Sequence, residues 1–158
     1  MARLSTGAMD PDSQPLNFYG EFRHALDEKN RLTIPSRWRR AEGEEFVIVA
    51  DPHGLCLLVM PPNEFARVTT AAASNPQVPP PQLRAFLRQL HAKAQHGAPD
   101  KQGRLLVPEE LCRQVGLKGE VALVGGRGRF EIWNSEKWKR SQEEETPTYQ
   151  HVANVIGL

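Results

Sequence analysis

The sequence predicts an α+β fold made of two copies of one small unit, and three observations carry that prediction. The chain repeats itself: Asp27-Glu-Lys-Asn-Arg-Leu-Thr-Ile-Pro35 lies over Asp100-Lys-Gln-Gly-Arg-Leu-Leu-Val-Pro108 at an offset of 73 residues, matching Asp, Arg, Leu, a β-branched residue and Pro. The offset persists, with Arg40 on Arg113, Gly43 on Gly116, Leu57 on Phe130, Val59 on Ile132 and Phe65 on Trp138, across one compensated two-residue slip near Glu120. Self-similarity of this kind marks a duplicated supersecondary unit. Second, each copy reads as short strands framing a turn and a helix. Third, a unit of about 50 residues buries too little surface to stand alone, so the two copies are expected to share one core.

In the first copy, Phe18–Leu26 alternates as a strand, the polar Asp27–Asn30 makes a turn, and Arg31–Ile34 alternates again. Pro35 stops strand pairing and suits the first turn of a short helix, Pro35–Ala41, which Gly43 ends. Phe46–Val49 and Leu55–Val59 are apolar strands joined by a Pro52/Gly54 loop, and Pro61–Ser74 is a helix. The second copy follows with a strand Arg104–Val107, a short helix Pro108–Val115 closed by Gly116, a hairpin of Val121–Val124 and Phe130–Trp133, and a helix Ser135–Glu145 opened by a Ser cap. Between the copies, Asn75–Pro81 is a proline-rich linker, and Gln82–His96 sets Leu83, Phe86, Leu87, Leu90 and Ala94 at helical spacing, a stripe expected to be core. Pro147–Leu158 shows no helical or strand period. The expected organisation is a disordered extension at 1–16, a first unit at 17–74, a linker and amphipathic helix at 75–96, a second unit at 97–145, and a weakly ordered or partner-docked tail at 146–158.

The apolar set is 39%, and the 12 Gly of 158 residues bring it to about 47%, close to the average of globular chains. The longest apolar run, Leu55–Met60, is far short of the ~20 residues of a membrane helix, so no membrane partner is expected. The N-terminal segment has one Arg and no apolar stretch, and Pro11, Asp12, Ser13 and Pro15 interrupt it, so it does not read as a signal peptide and the cytoplasm is the expected compartment. Cys56 and Cys112, without a C-x-x-C pair, read as reduced, buried thiols. With 20 Lys and Arg against 19 Asp and Glu, the net charge of +1 supplies no global field, and attraction for nucleic acid must come from local clustering.

Patterns that carry chemistry are scarce. None of G-x-x-x-x-G-K-[ST], G-x-S-x-G, H-E-x-x-H or an intact G-x-G-x-x-G occurs. Gly125-Gly-Arg-Gly-Arg129 could cradle a phosphate or imitate an arginine–glycine RNA-binding run, but its place between two strands favours a turn that needs positive φ. His91 and His96 lack a carboxylate or Cys to complete a zinc-like set, and Cys112 on the apolar side of a short helix reads as packing rather than as a nucleophile. No enzymatic activity, metal or cofactor is expected.

What stands out is the paired Asp-x-x-x-Arg turn, Asp27…Arg31 and Asp100…Arg104. An Asp at such a place accepts from backbone N–H groups shortly after it, and Asn30 and Gly103 are residue types that enter the left-handed region readily. Asp27, Asn30, Asp100 and Gly103 are therefore the turn-shaping residues. The Arg that follows is held on a strand edge, where its planar fork can meet a phosphate or a guanine edge. Alternatively it closes a salt bridge within the turn, repeated because the fold is repeated. Within Glu21–Arg40 the cations Arg23, Lys29, Arg31, Arg37, Arg39 and Arg40 outnumber the acids by three, whereas Asp100–Arg113 nets to zero because Glu109 and Glu110 join Asp100. The first unit is thus expected to carry the basic face, with Trp38 as an apolar anchor and Arg31 bearing more load than Arg104.

With these residues in view, the chain resembles the MraZ family of bacterial transcription regulators, within the AbrB/SpoVT-like swapped-hairpin superfamily. The resemblance covers roughly Asn17–Gln142 and rests on Phe18-Tyr-Gly-Glu-Phe22, the two Asp-to-Pro motifs, Val121-Ala-Leu-Val-Gly and Glu131-Ile-Trp133. The family's first motif usually has Gly where Asn30 stands. The resemblance implies an α+β double-split (swapped-hairpin) β-barrel of two pseudo-symmetric halves, with chains assembled into ring-shaped homo-oligomers. It further implies a cytoplasmic, nucleoid-associated repressor that binds short direct repeats in double-stranded DNA upstream of the division and cell-wall gene cluster, usually its own operon. It assigns Lys29, Arg31, Lys101 and Arg104 to DNA-contacting turns, to which local charge adds Arg23, Arg37, Arg39 and Arg40. The competing reading is a ring-forming protein- or RNA-interaction protein whose arginines make structural salt bridges.

Overall fold

A computed structural model describes residues 16–40 and 43–158, so the extension at 1–15 and Ala41 of the expected short helix lie outside the described residues. The elements run β1 Glu21–Ala25, β2 Arg31–Thr33, a 3-10 turn Ser36–Trp38, β3 Phe46–Ala50, β4 Leu57–Met60, α1 Pro62–Ser74 and α2 Pro80–Lys93. They continue with β5 Gln95–Gly97, β6 Arg104–Leu106, α3 Glu109–Val115, β7 Glu120–Val124, β8 Phe130–Asn134 and α4 Ser135–Ile156. The 73-residue offset carries β2 onto β6, β4 onto β8, α1 onto the start of α4 and, with the slip, β3 onto β7 and β1 onto β5.

Six strands form one antiparallel sheet in the order β1-β7-β8-β4-β3-β5, and β2 pairs with β6 in a separate two-stranded ribbon. The order reads the same from both ends under the offset. Each half therefore lends its outer strand to the other: β1 runs from Glu21↔Val124 to Ala25↔Glu120 along β7, and β5 from Phe46↔Gly97 to Ile48↔Gln95 along β3. The ribbon is likewise shared, with Leu32 facing Leu105.

The two copies share a core, as the size of each unit requires. Phe46, Ile48, Leu57 and Val59 from the first half meet Val121, Leu123, Phe130 and Ile132 from the second, with Leu32 and Leu105 of the ribbon and Leu111 and Val115 of α3 closing over them. Trp38 sits at the centre. Its ring lies 4.9 Å from Phe130 and meets Phe18 and Phe22 edge to face, while its indole N–H donates to Tyr19 O at 3.0 Å, so the one polar atom of a buried indole is satisfied. A second cluster of Cys56, Ala122 and Trp133, with Trp138 against it, lies where α4 covers β7 and β8.

Several expectations are corrected. The strand expected over Phe18–Leu26 shortens to Glu21–Ala25, because Gly20 takes φ +110° and the chain before it bonds instead to the β7–β8 loop, where Phe18 N donates to Gly126 O. The short helix after Pro35 is a single 3-10 turn. The stripe of Leu83, Phe86, Leu87, Leu90 and Ala94 is not core: no residue of α2 is buried, and the helix lies on the surface against α1 and β3. Residues 95–97, placed in the helix or just after it, form β5; a three-residue polar edge strand has no alternation to read. The cap of α4 is Asn134, whose side chain accepts from Glu136 N and Lys137 N, rather than Ser135. The segment from Pro147, expected to have no helical period, is helical: α4 continues past that proline to Ile156 and ends on Gly157 in the left-handed region. Tyr149, Val152 and Ile156 do keep a helical spacing, hidden in the sequence by the proline beside them.

Trp38→Ala is expected to lower the unfolding free energy by about 3–5 kcal/mol, the usual cost of emptying an aromatic site in a packed core. Denaturant titration measures this, and a loss below about 1 kcal/mol would show that the aromatic cluster does not close the core.

Candidate nucleic-acid interface

The two turns are built alike to within small fractions of an ångström. Asp27 Oδ1 accepts from Lys29 N at 2.9 Å and Arg31 N at 2.8 Å, and its Oδ2 accepts from Arg31 Nε at 2.7 Å. Asp100 repeats the pattern with Gln102 N, Arg104 N and Arg104 Nε, all at 2.9 Å. Backbone bonds close each loop: Asn30 N donates to Asp27 O, and Gly103 N to Asp100 O. The residue at the tip has positive φ in both, 59° at Asn30 and 79° at Gly103. The Arg31 backbone N–H above all, helped by Arg31 Nε and Lys29 N, holds the Asp27 carboxyl below its ordinary 3.8, and Arg104 N–H does the same for Asp100.

The ribbon aims the arginines. Thr33 stands opposite Arg104 and Arg31 opposite Leu106, so these four share one face, while Leu32 and Leu105 point from the other into the core with no exposure. The outward face thus carries a guanidinium at each end, with Thr33 and Leu106, the latter 57% exposed, beside them. Each arginine is tied by Nε to its own Asp, and no other hydrogen bond of either side chain occurs among the described residues. The terminal nitrogens are free to meet an anion.

The exchange between halves overturns the charge count made along the sequence. Ile34 N donates to Gly103 O, and Val107 N to Asn30 O, so the segment after each ribbon strand leads into the other half's turn. The basic 3-10 turn and its flank therefore lie beside the second turn, not the first. Arg39 Nε donates to Ile34 O at 3.1 Å, and its guanidinium covers Gly103 so closely that a Cβ there would stand 2.5 Å from Arg39 Cζ. A groove of about 660 Å³ joins Arg39 and Arg40 to Asp100 and Lys101. In the pseudo-equivalent place Cys112 replaces Arg39, its Sγ 3.8 Å from Val107 O, and Asn30 replaces Gly103. The second turn gains a cation that the first lacks.

The remaining residues expected at the interface divide by partner. Arg23 pairs with Glu21 at 3.3 Å and Glu120 at 3.9 Å, and Arg40 pairs with Glu44 at 3.2 Å while lying 4.4 Å over the Phe18 ring. These charges are largely neutralised within the chain. Lys29, Arg37 and Lys101 are exposed, and their side chains have no partner among the described residues.

The glycine cluster is structural. Only Gly128, at φ +80°, needs the left-handed region; Gly125 is required because a Cβ there would stand 2.2 Å from Phe18 O. Arg129 points to Glu64, a carboxylate 4% exposed that also accepts from Arg67 Nε at 2.9 Å. No local pattern marks that acid as buried, since its partners lie on a distant loop and on the next turn of its own helix. His96 Nε2 lies 3.1 Å from Glu45, and no group of three or more His, Cys, Asp or Glu among the described residues could hold a metal ion. Burial raises the thiols of both Cys56 and Cys112, as expected of packing residues.

Comparison with known proteins identifies the family. The model of a family described as "MraZ protein, putative antitoxin-like" matches residues 17–88 and again 90–157. Both matches include one Asp-x-x-x-Arg turn. Among curated relatives, the protein named Transcriptional regulator MraZ of Heliobacterium modesticaldum is 38% identical, covering 88% of this chain and 96% of its own. Those of the same name in Desulforamulus reducens and Pediococcus pentosaceus are 35% and 38% identical, covering 89% of this chain and 99% and 98% of their own. A duplicated family model over nearly all the described residues, and relatives matched along nearly their whole length, show that this chain belongs to the MraZ family.

Proposed function

We propose that the chain is a sequence-specific DNA-binding transcription regulator that reads double-stranded DNA with the β2–β6 ribbon. The observation that carries this reading is the outward ribbon face, with Arg31 and Arg104 fixed by their aspartates at its two ends. A two-stranded ribbon fits a major groove, and an arginine fork held in place loses little freedom on meeting a phosphate or a guanine. The names of the relatives as transcriptional regulators support the same conclusion. The full reading is a nucleoid-associated repressor acting as a ring-shaped homo-oligomer on short direct repeats upstream of its own operon, with ribbon and sheet as parts of one double-split barrel. Linked copies of a weak site become strong on spaced repeats through effective concentration.

A second reading has its own support. The Arg31–Asp27 and Arg104–Asp100 pairs, at 2.7 and 2.9 Å, are the repeated salt bridges expected if the arginines serve only the fold of a ring-forming protein- or RNA-interaction protein. A mobility shift on the chain's own upstream region against scrambled DNA of equal length separates the two. Preferential binding is expected, lost in Arg31→Ala and Arg104→Ala while melting stays nearly unchanged; equal binding to both fragments would sink the specific reading.

The second turn is expected to carry the larger share of phosphate contact, since Arg39 and Lys101 stand beside Arg104. Arg39→Gln keeps a donor and removes the charge, so it should weaken binding and lower the slope of log K against log salt by about 1 for each engaged copy. Salt titration on one fragment checks this, and an unchanged slope would remove Arg39 from the interface.

Both turn aspartates have lowered values when folded, so their stabilisation is complete above the unfolded value of 3.8 and is lost as pH falls through the lower folded one. The Nε–H signals of Arg31 and Arg104 in nuclear magnetic resonance should stay constant between about pH 5 and 8 and lose protection only below the unfolded carboxylate value. Loss of protection near neutral pH would contradict the assignment of the carboxylates as acceptors.

A further inference from the structure

The ribbon is nearly two-fold symmetric. The offset of 73 residues carries Arg31 onto Arg104 and Thr33 onto Leu106, so its outward face holds two copies of an arginine and a second side chain two residues on. Val107 N donates to Asn30 O and Ile34 N to Gly103 O, which marks 30/107 and 34/103 as hydrogen-bonded pairs. By alternation Arg31–Leu106 and Thr33–Arg104 are non-hydrogen-bonded pairs, whose side chains stand closest, with Cα atoms about 4.5 Å apart. Half a turn about the ribbon's axis exchanges the two arginines, so they cannot by themselves tell one direction along a duplex from the other. The second side chains can. Arg31 has a leucine beside it, and Arg104 a threonine.

Leu106 is 57% exposed and belongs to neither apolar cluster of the core. Its neighbour Leu105 is wholly buried, and alternation along the strand therefore holds Leu106 outward. A single exposed leucine is ordinary on a protein surface. This one stands against a guanidinium whose Nε is already fixed by Asp27, on the face where both held arginines point outward. The methyl group that a base edge presents in the major groove belongs to thymine, and apolar side chains recognise it by contact. Cβ atoms about 5 Å apart across a strand pair reach neighbouring base pairs, which are stacked about 3.4 Å apart.

We propose that Leu106 is a specificity-determining residue: it packs on the C5-methyl of a thymine beside the base pair that Arg31 meets, and this contact sets the direction in which the ribbon reads its site. Thr33, at the equivalent place beside Arg104, offers a hydroxyl that bonds to more than one base and selects less. The inference rests on the DNA reading proposed above and adds the base and the orientation which that reading selects.

Exchanging thymine for deoxyuridine deletes the C5-methyl and leaves the hydrogen-bonding edge intact. Binding of the full chain to a duplex of its own upstream region, with thymines exchanged one at a time, is expected to weaken about fourfold at one thymine in each engaged site, the worth of one buried methyl. Leu106→Ser should bind the unmodified duplex at least as weakly as the wild type binds the exchanged one, and should lose nothing further on it. The position is exposed, so melting and sedimentation without DNA should hardly change. A scan in which no single exchange weakens the wild type would overturn the proposal. So would Leu106→Ser that stays as sensitive to the exchange as the wild type, because another side chain would then meet the methyl. A changed mass of Leu106→Ser without DNA would place the side chain between copies of the chain and overturn it too. Wild type that binds the upstream and scrambled fragments alike would overturn instead the DNA reading on which the proposal rests.

Discussion

Because β1 hydrogen-bonds along β7, and β5 along β3, each half of the chain supplies the edge strand of the other, and neither can complete its sheet alone. The rest of the structure follows from this exchange. It brings Leu32 and Leu105 together under one ribbon, sets Trp38 of the first half against Phe130 of the second, and leaves a single core where two units of this size would each be marginal. It also decides which charges surround which turn, because the segment that follows each ribbon strand packs against the turn of the opposite half.

The turns themselves resolve a conflict between rigidity and availability. An exposed arginine is flexible, and ordering it on binding costs side-chain entropy. Here one carboxylate oxygen of each Asp is satisfied by two backbone N–H groups and the other holds Arg Nε, so the guanidinium is fixed by a group that belongs to the turn. The ion pair does not use up the arginine: Nε serves the fold and the remaining fork faces outward. Arg39 lies directly over Gly103, whereas the equivalent positions hold the uncharged Cys112 and Asn30, which is how two turns of one geometry come to differ in charge.

The repeat made most of the fold legible. Asp, Arg and Pro recurring at one offset located both turns, and the apolar alternation of Phe46–Val49 and Phe130–Trp133 located the strands that meet between the halves. What could not be read was pairing across the chain. Gln95-His-Gly97 has no strand pattern and is extended because β3 offers it an edge, and the placement of Arg39 over Gly103 depends on an exchange that local charge counting cannot see. The stripe on α2 predicts a core helix because an apolar helical face demands a partner, but within this chain that face stays on the surface. Pro147 concealed the end of α4 for a similar reason: a proline argues for a helix boundary, and here the helix continues past it.

In the proposed interface one nitrogen of each arginine is held by its aspartate while the others are left to meet DNA. Titrating the full chain with a duplex of its own upstream region while following the arginine Nε–H signals tests it most directly. The signals of Arg31, Arg104 and Arg39 are expected to shift in step with binding, those of Arg31 and Arg104 remaining protected throughout. Tight binding with these three signals unmoved would contradict the account.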